Sequence, residues 1–341
     1  MLFFCGNSPT RAATTYTLAT NEDVFVNPEL RPAWEIVRKR TLPPHTTLRN
    51  MLTFREAPSA PIEVLPAGVV HRIIAGARGT PSVEIYVIHA DAGSHRPAIL
   101  HVHGGGFILG RANDNLVSLV QEARLLDCTI VTVDYRRPPE APFPAALDDA
   151  YAALVWLHDR ATEIGVDSTR IAVQGESAGG GLAAMLAIAA RDRGVVKLVH
   201  QSLVYPMLDD RTGTTRPTSH HVGTILWTPR LNGIGWSAFL GQPAGQATAP
   251  PGAVPARVTN VAGLAPAFIG VGSIDLFVGE DMTYAHRMID AGVPVELVVV
   301  PGAYHGFDVV GPPTTLSRQF RLAQLNALAR AFNRPLLASL D

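Results

Sequence analysis

The stretch Ile171–Ala187, IAVQGESAGGGLAAMLA, carries Gly175-Glu176-Ser177-Ala178-Gly179 between an apolar run and a run of small residues. A strand that turns directly into a helix folds back within a few residues, which strains the backbone and lifts the central side chain above the sheet edge. Ser177 is that central residue, and the glycines two positions to either side remove Cβ atoms that would clash there. The helix N-terminus points backbone N–H groups at the region where negative charge develops on a reacting carbonyl oxygen. Ser177 therefore reads as a nucleophile for acyl transfer. The competing reading is a glycine-rich turn with an idle serine.

Serine is a poor nucleophile near neutral pH unless a base takes its proton, and that base must be held in one tautomer. Ser177 thus calls for a histidine and a carboxylate on loops at the same sheet edge. Asp275 follows the late strand-like run ending Gly270-Val271-Gly272, with Glu280 and Asp281 as nearby rivals, and His305 follows the last such run, in Pro301-Gly-Ala-Tyr-His305-Gly-Phe. Of the twelve histidines, His71, His89, His101 and His200 lie in or beside strand runs, and His158 and His286 in helical ones. His220 and His221 fall in a long polar excursion. His103-Gly104-Gly105-Gly106-Phe107 adds glycines whose N–H groups can approach a tetrahedral oxyanion unobstructed. A phosphate cradle is the alternative there, but no Lys-Ser/Thr follows.

The elements that must position these residues follow from hydrophobic period. Val69–Ile74 and Val83–His89 read as an antiparallel hairpin. Further strands are expected at Pro97–Val102, Thr129–Val133, Ile171–Val173, Leu198–Val204, Ala267–Val271 and Val295–Val300, with helices at Leu116–Leu126 and Ala145–His158. That makes about eight strands, mostly alternating with helices, hence a mostly parallel sheet covered on both faces with chemistry at the strands' carboxyl ends. Before the sheet, Asn27-Pro28 introduces a helix through ELRPAWEIVRKR, with Leu30, Trp34, Ile36 and Val37 on one face, and Thr46–Phe54 forms a second short helix. Residues 1 to about 25 carry no clean periodicity.

The composition is that of an ordinary globular protein: 341 residues, 47% hydrophobic, 17% charged, formal net charge −1. This balance, without a basic run, argues against nucleic acid or an anionic membrane surface as partner. Two cysteines, Cys5 and Cys128, give no disulfide framework or thiolate zinc site. The start MLFFCGNSP lacks a leading positive charge and is too short for a signal-peptide core, and no run near Ser177 reaches a spanning length. A cytoplasmic protein without stable membrane insertion is expected, needing neither cofactor nor metal; a homodimer is compatible with these features.

Taken together, His103-Gly-Gly-Gly-Phe107, Asp134-Tyr-Arg with Pro139-Glu140 and Pro142-Phe-Pro-Ala145, Gly175-Glu-Ser-Ala-Gly-Gly180, Asp275 and His305-Gly-Phe307 resemble the hormone-sensitive-lipase-like family of α/β-hydrolase carboxylesterases. The resemblance runs from about residue 69 to the C-terminus, and the order Ser, Asp, His is that of the α/β-hydrolase fold. It implies a triad of Ser177, Asp275 and His305, with oxyanion donors on the backbones of Gly105, Gly106 and Ala178 and with Gly104 as a further candidate. It also implies a helical cap. The expected division is a cap segment over 1–66, a first core part over 67–206, a cap excursion over 207–264 and a second core part over 265–341. Short- to medium-chain acyl esters are the implied substrates, with Phe107, Trp227, Trp236 and Phe239 as candidate substrate contacts beside Trp34; the alternative is that these aromatics form the cap's own core. Glu176 stands where many relatives have Asp, Arg137-Pro138 replaces a common Leu-Ala, and Glu140 is expected to make a structural contact. Two other functions fit the same residues: a lactonase or amidase, or a non-catalytic small-molecule binder on this scaffold.

Overall fold

The computed structural model describes residues 24–33, 36, 37, 39, 41–56, 64–77, 79–311 and 313–340. Eight strands form one sheet: β1 (Val69–Ile74), β2 (Val83–Ile88), β3 (Arg96–Val102), β4 (Thr129–Asp134), β5 (Val166–Glu176), β6 (Leu198–Val204), β7 (Ala267–Gly272) and β8 (Val295–Val300). Their order is β1-β2-β4-β3-β5-β6-β7-β8. β2 pairs antiparallel with both β1 and β4, and every later pairing is parallel. The chain reverses strand order between β3 and β4, so the ends of β3 and β5 meet beside a crevice, which is where ligands enter such sheets.

Period-two alternation sends successive strand residues to opposite faces. Leu100, Val102, Val131, Val133 and Val173 join a core completed by α3 (Ala145–Asp159), α4 (Ala178–Arg193) and α6 (Val278–Asp290). Their neighbours Ile99, Ile130 and Ala172 face α2 (Leu116–Leu125) and α7 (Thr315–Ala331) instead. Both faces are therefore covered, as alternating strands and helices predict. Among the described residues no helix is long and apolar enough to cross a membrane.

The roof comes from two distant pieces, α1 (Leu48–Glu56) and α5 (Pro229–Leu240). The start of α1 is fixed by reciprocal bonds, Asn50 Oδ1 accepting from Thr47 N and Thr47 Oγ1 from Asn50 N. α5 begins with Thr228 as N-cap and Pro229 at its first position and stops at Gly241, whose φ of 66° suits a residue without Cβ. Arg230 Nε donates to Thr46 O at 2.8 Å, joining the two pieces. Arg55 pairs with Glu140 at 2.5 Å and also donates to Pro138 O, so Glu140 anchors α1 to the loop after β4.

Three expectations are corrected here. The helix expected through ELRPAWEIVRKR opens instead as a 3-10 helix over Pro28–Ala33, because Pro32 lacks the N–H an α-helix needs and crowds the preceding turn. Ile36 does not share the buried face of Leu30 and Val37: it is exposed while they are buried. β5 starts five residues earlier than the apolar run, at Val166, its polar first half pairing irregularly through a register shift beside Arg96. Trp34 and residues 1–23 lie outside the described residues.

His200 on β6 gives a stability test independent of any chemistry. It is buried with Nε2 unpartnered, and burial, helped by the charge of Arg330, pushes its pKa down from 6.5 to about 4. Between those values the unfolded chain binds the extra proton, so this contribution to stability falls as pH drops through the window, by about 3 kcal/mol in all. Burial pushes Glu280 and Asp281 the opposite way, so the effect is read as a difference. The stability gap between the wild type and His200→Gln should move by roughly 3 kcal/mol in favour of the variant between pH 7 and pH 4. A gap that stays constant on chemical denaturation at both pH values would show that His200 is not held neutral.

Candidate active site

Ser177 sits between β5 and α4 with φ 57° and ψ −123°, a left-handed conformation that costs a non-glycine residue roughly 1–3 kcal/mol. Neighbouring backbone holds it there: Ser177 N donates to Val204 O at 2.9 Å and Met207 N to Ser177 O at 2.9 Å. The turn is tight enough to demand glycine on both sides. A Cβ on Gly175 would lie 2.3 Å from Gly179 O, and one on Gly179 would lie 2.1 Å from Val102 O.

The loops after β7 and β8 bring Asp275 and His305 to this point. His305 Nε2 is 2.9 Å from Ser177 Oγ, and His305 Nδ1 is 2.9 Å from Asp275 Oδ2. Asp275 is fully buried, and its other oxygen accepts from Phe277 N at 3.0 Å. A carboxylate can only accept from Nδ1–H, so Nε2 is left bare to accept the serine proton. The rings of Tyr205 and Phe277 meet the imidazole edge to face at 4.7 and 5.3 Å. The two rival carboxyls do other work. Glu280 Oε1 accepts from Leu208 N and Asp209 N behind the nucleophile's turn, and the Asp281 carboxyl has no hydrogen-bond partner among the described residues; burial pushes both well above the usual carboxyl range. The segment at Asn27 clasps the loop that carries His305: Asn27 N donates to Gly302 O at 2.9 Å and Asn27 Nδ2 to Pro301 O at 3.1 Å.

Facing the serine, Gly105 and Gly106 have φ of 119° and 60°. A Cβ on Gly105 would strike Leu109 O at 2.3 Å, and one on Gly106 would strike the Trp227 ring at 1.9 Å. Among the described residues no protein acceptor takes the N–H of Gly105, Gly106 or Ala178. Gly104, whose N–H likewise has no acceptor among the described residues, packs against the nucleophile's own strand, where a Cβ would lie 2.8 Å from Glu176 O. His103 braces the loop from below. Its Nδ1 donates to Gly104 O at 2.9 Å, Tyr135 stacks on it at 4.2 Å, and burial pushes its pKa down to about 4, which keeps it neutral.

A cavity of about 470 Å³ opens over these groups, with Leu42, Phe54, Trp227 and Leu231 among the walls. Trp227 thus lines the space above Ser177, its Nε1 fixed by Asn232 Oδ1 at 3.2 Å. Phe107, Trp236 and Phe239, expected as substrate contacts, are fully buried and pack on one another, with Phe107 and Phe239 stacked at 4.1 Å. They hold α5 to the glycine loop and do not line the cavity.

Sequence reasoning missed a polar group beneath the serine. His101 Nδ1 meets Thr132 Oγ1 at 2.9 Å and His101 Nε2 meets Glu176 Oε2 at 3.0 Å. Burial opposes charge on both, yet each favours the other's charged form: the Glu176 pKa lies below its ordinary value and that of His101 above. Arg321 and Gln324 also line the cavity, and their three-residue spacing on α7 is a helical-face signal readable in the sequence.

With this geometry in view, the likeness to known proteins is specific. Residues 99–309 match the family described as alpha/beta hydrolase fold. The chain is 36% identical over 216 residues to the esterase LipI of Mycobacterium tuberculosis, an alignment that covers 62% of this chain and 65% of LipI. It is 33% identical over 248 residues to the carboxylesterase NlhH of the same species, covering 72% of this chain and 78% of NlhH. Among solved structures, a bacterial heroin esterase superposes with a TM-score of 0.79 at 32% identity, covering 91% of this chain and 98% of that one. Esterase LipW from Mycobacterium marinum superposes with a TM-score of 0.77 at 33% identity, covering 92% and 97%. On this match the chain belongs to the hormone-sensitive-lipase-like family of α/β-hydrolase carboxylesterases.

Proposed function

We propose that the protein hydrolyses carboxylic esters through an acyl-enzyme on Ser177. The observation that carries this is the continuous chain of bonds from Asp275 through His305 to Ser177 Oγ. Ser177 Oγ attacks the ester carbonyl carbon while its proton passes to His305 Nε2, and the oxygen that gains charge faces the N–H groups of Gly105, Gly106 and Ala178. As the tetrahedral adduct collapses, the C–O bond breaks and the leaving alcohol takes the proton from Nε2. Water then attacks the acyl-serine, His305 accepting its proton and returning it to Oγ as the acid departs. A serine already bonded to a bare imidazole nitrogen favours turnover over mere binding. Two cysteines, with Cys128 buried and free, fit a cytoplasmic setting.

The apolar wall of Leu42, Phe54 and Leu231 supports short- to medium-chain acyl esters. Each methylene buried there contributes about 0.8 kcal/mol, or roughly four-fold in kcat/KM, until the wall ends. A series of p-nitrophenyl esters from acetate to decanoate, with one lactone and one anilide, is the test. We expect kcat/KM to climb and then break, and Phe54→Ala to reduce the longer esters by about ten-fold while leaving acetate within about two-fold. A flat profile in the wild type, or equal losses for all chain lengths in the variant, would remove the wall from substrate selection. Faster lactone or anilide turnover would reassign the leaving group without changing the three residues.

A further inference from the structure

The cavity above Ser177 continues between α2 and α7, and there its lining changes character. Ser118 and Glu122 stand four residues apart on α2, and Arg321 and Gln324 three apart on α7, so each pair shares one helix face. Glu122 is 1% exposed. Its Oε2 takes Arg321 Nη2 at 3.2 Å, but among the described residues no donor comes within bonding distance of its Oε1, although Gln174 stands near enough to help hold the carboxyl down. A buried oxygen of this kind, unmatched at the wall of a substrate cavity, is an acceptor in search of a donor.

The surrounding charges decide which donor. Arg321 is paired with Glu122 and His101 with Glu176, while Asp308 accepts from Tyr205 and is held towards its neutral form by burial. At Glu122 an ammonium would compete with Arg321 for a carboxylate already paired, while Asp114 on the same cavity accepts, among the described residues, only from Arg111 N, and a carboxylate would face the carboxyls of Glu122 and Asp308. A hydroxyl fits: it donates to Glu122 as the carboxylate and accepts from it as the acid, so the upward push that burial gives Glu122 does not spoil the match. The apolar cap wall on one side of Ser177 and this polar limb on the other therefore ask for different halves of one molecule.

We infer that the limb between α2 and α7 is a subsite for a hydroxyl group carried by the ester, with Glu122 Oε1 as the recognising atom and Glu122 as a specificity-determining residue. The inference rests on the ester-hydrolase reading. Two matched pairs test it and distinguish which half of the ester enters the limb: 2-hydroxyethyl butanoate against propyl butanoate for the alcohol half, and ethyl 3-hydroxybutanoate against ethyl 3-methylbutanoate for the acyl half. The wild type should prefer the hydroxylated member of one pair by about ten-fold or more in kcat/KM. Glu122→Leu should abolish that preference while changing the methyl member by less than about three-fold. Ser118→Leu, one turn away on the same face, fills the limb while leaving both Glu122 and Arg321 in the chain and should abolish the preference too. Phosphonate labelling of Ser177 and circular dichroism report folding of each variant; if Glu122→Leu does not fold, Ser118→Leu decides. Equal rates within both pairs in the wild type, or a preference that survives in the folded variants, overturns the subsite while leaving ester hydrolysis standing. No hydrolysis of any of the four esters overturns both.

Discussion

Ser177→Ala is expected to lower kcat/KM for any ester by about 10⁴- to 10⁶-fold and to abolish covalent labelling by a serine-directed phosphonate. Among the described residues, Ser177 Oγ is the one protein hydroxyl that meets the bare Nε2 of His305. The fold should survive. Alanine keeps the Cβ, the residue is only 7% exposed, and the bonds that hold its backbone to Val204 and Met207 do not involve the hydroxyl. Stability within about 1 kcal/mol of the wild type is therefore the control. Labelling that persists in the alanine variant would remove Ser177 from the role.

Asp275→Asn should cost nearly as much, about 10⁴-fold in kcat, for a reason that lies in two hydrogen bonds rather than in charge. Asp275 accepts from Phe277 N with one oxygen and from His305 Nδ1 with the other. An asparagine has one oxygen. If that oxygen stays with Phe277, the amide NH₂ faces Nδ1, which must then give up its proton; the proton moves to Nε2, and the imidazole can no longer accept from Ser177. If the amide turns round, its NH₂ meets the Phe277 N–H in a site closed to water. That donor-against-donor contact disfavours the turned amide, so the first arrangement with its wrong tautomer prevails, and the phosphonate should label this variant far more slowly than the wild type. Activity within ten-fold of wild type would falsify Asp275 as the orienting group and return attention to Asp281, the buried carboxyl without a partner.

Most of the sheet was legible because its strands are β-branched runs closed by glycine or proline, and the order of strands and helices left few topologies. The nucleophile's turn was legible for a stronger reason: contacts of 2.1 to 2.3 Å forbid any side chain at Gly175 or Gly179, so geometry is written directly into residue type. The aromatics were harder. Trp227 against the cavity and Trp236 in the core differ in tertiary surroundings, not in local pattern, and nothing in the excursion distinguishes them. Glu122 is hidden more thoroughly still. On α2 it looks like a solvent-facing residue among Leu116, Leu119 and Ala123, and only the approach of Arg321, 199 positions later, shows that it faces inward. The early halt of the first helix was readable in Pro32, whereas the irregular start of β5 needed Arg96 beside it.

The clasp between Asn27 and the loop at Gly302 bears on the order in which the molecule is made. Its two ends are separated by 274 positions, so during synthesis the segment around Asn27 leaves the ribosome long before the backbone it binds exists. The nucleophile's turn comes next, then Asp275, and the histidine after both. On the proposed mechanism, a chain that has folded as far as β7 has the nucleophile's turn in place but not yet the base at His305. Arrival of β8 and the His305 loop closes a long loop, seats the early segment and, on the mechanism proposed above, completes the site in one event.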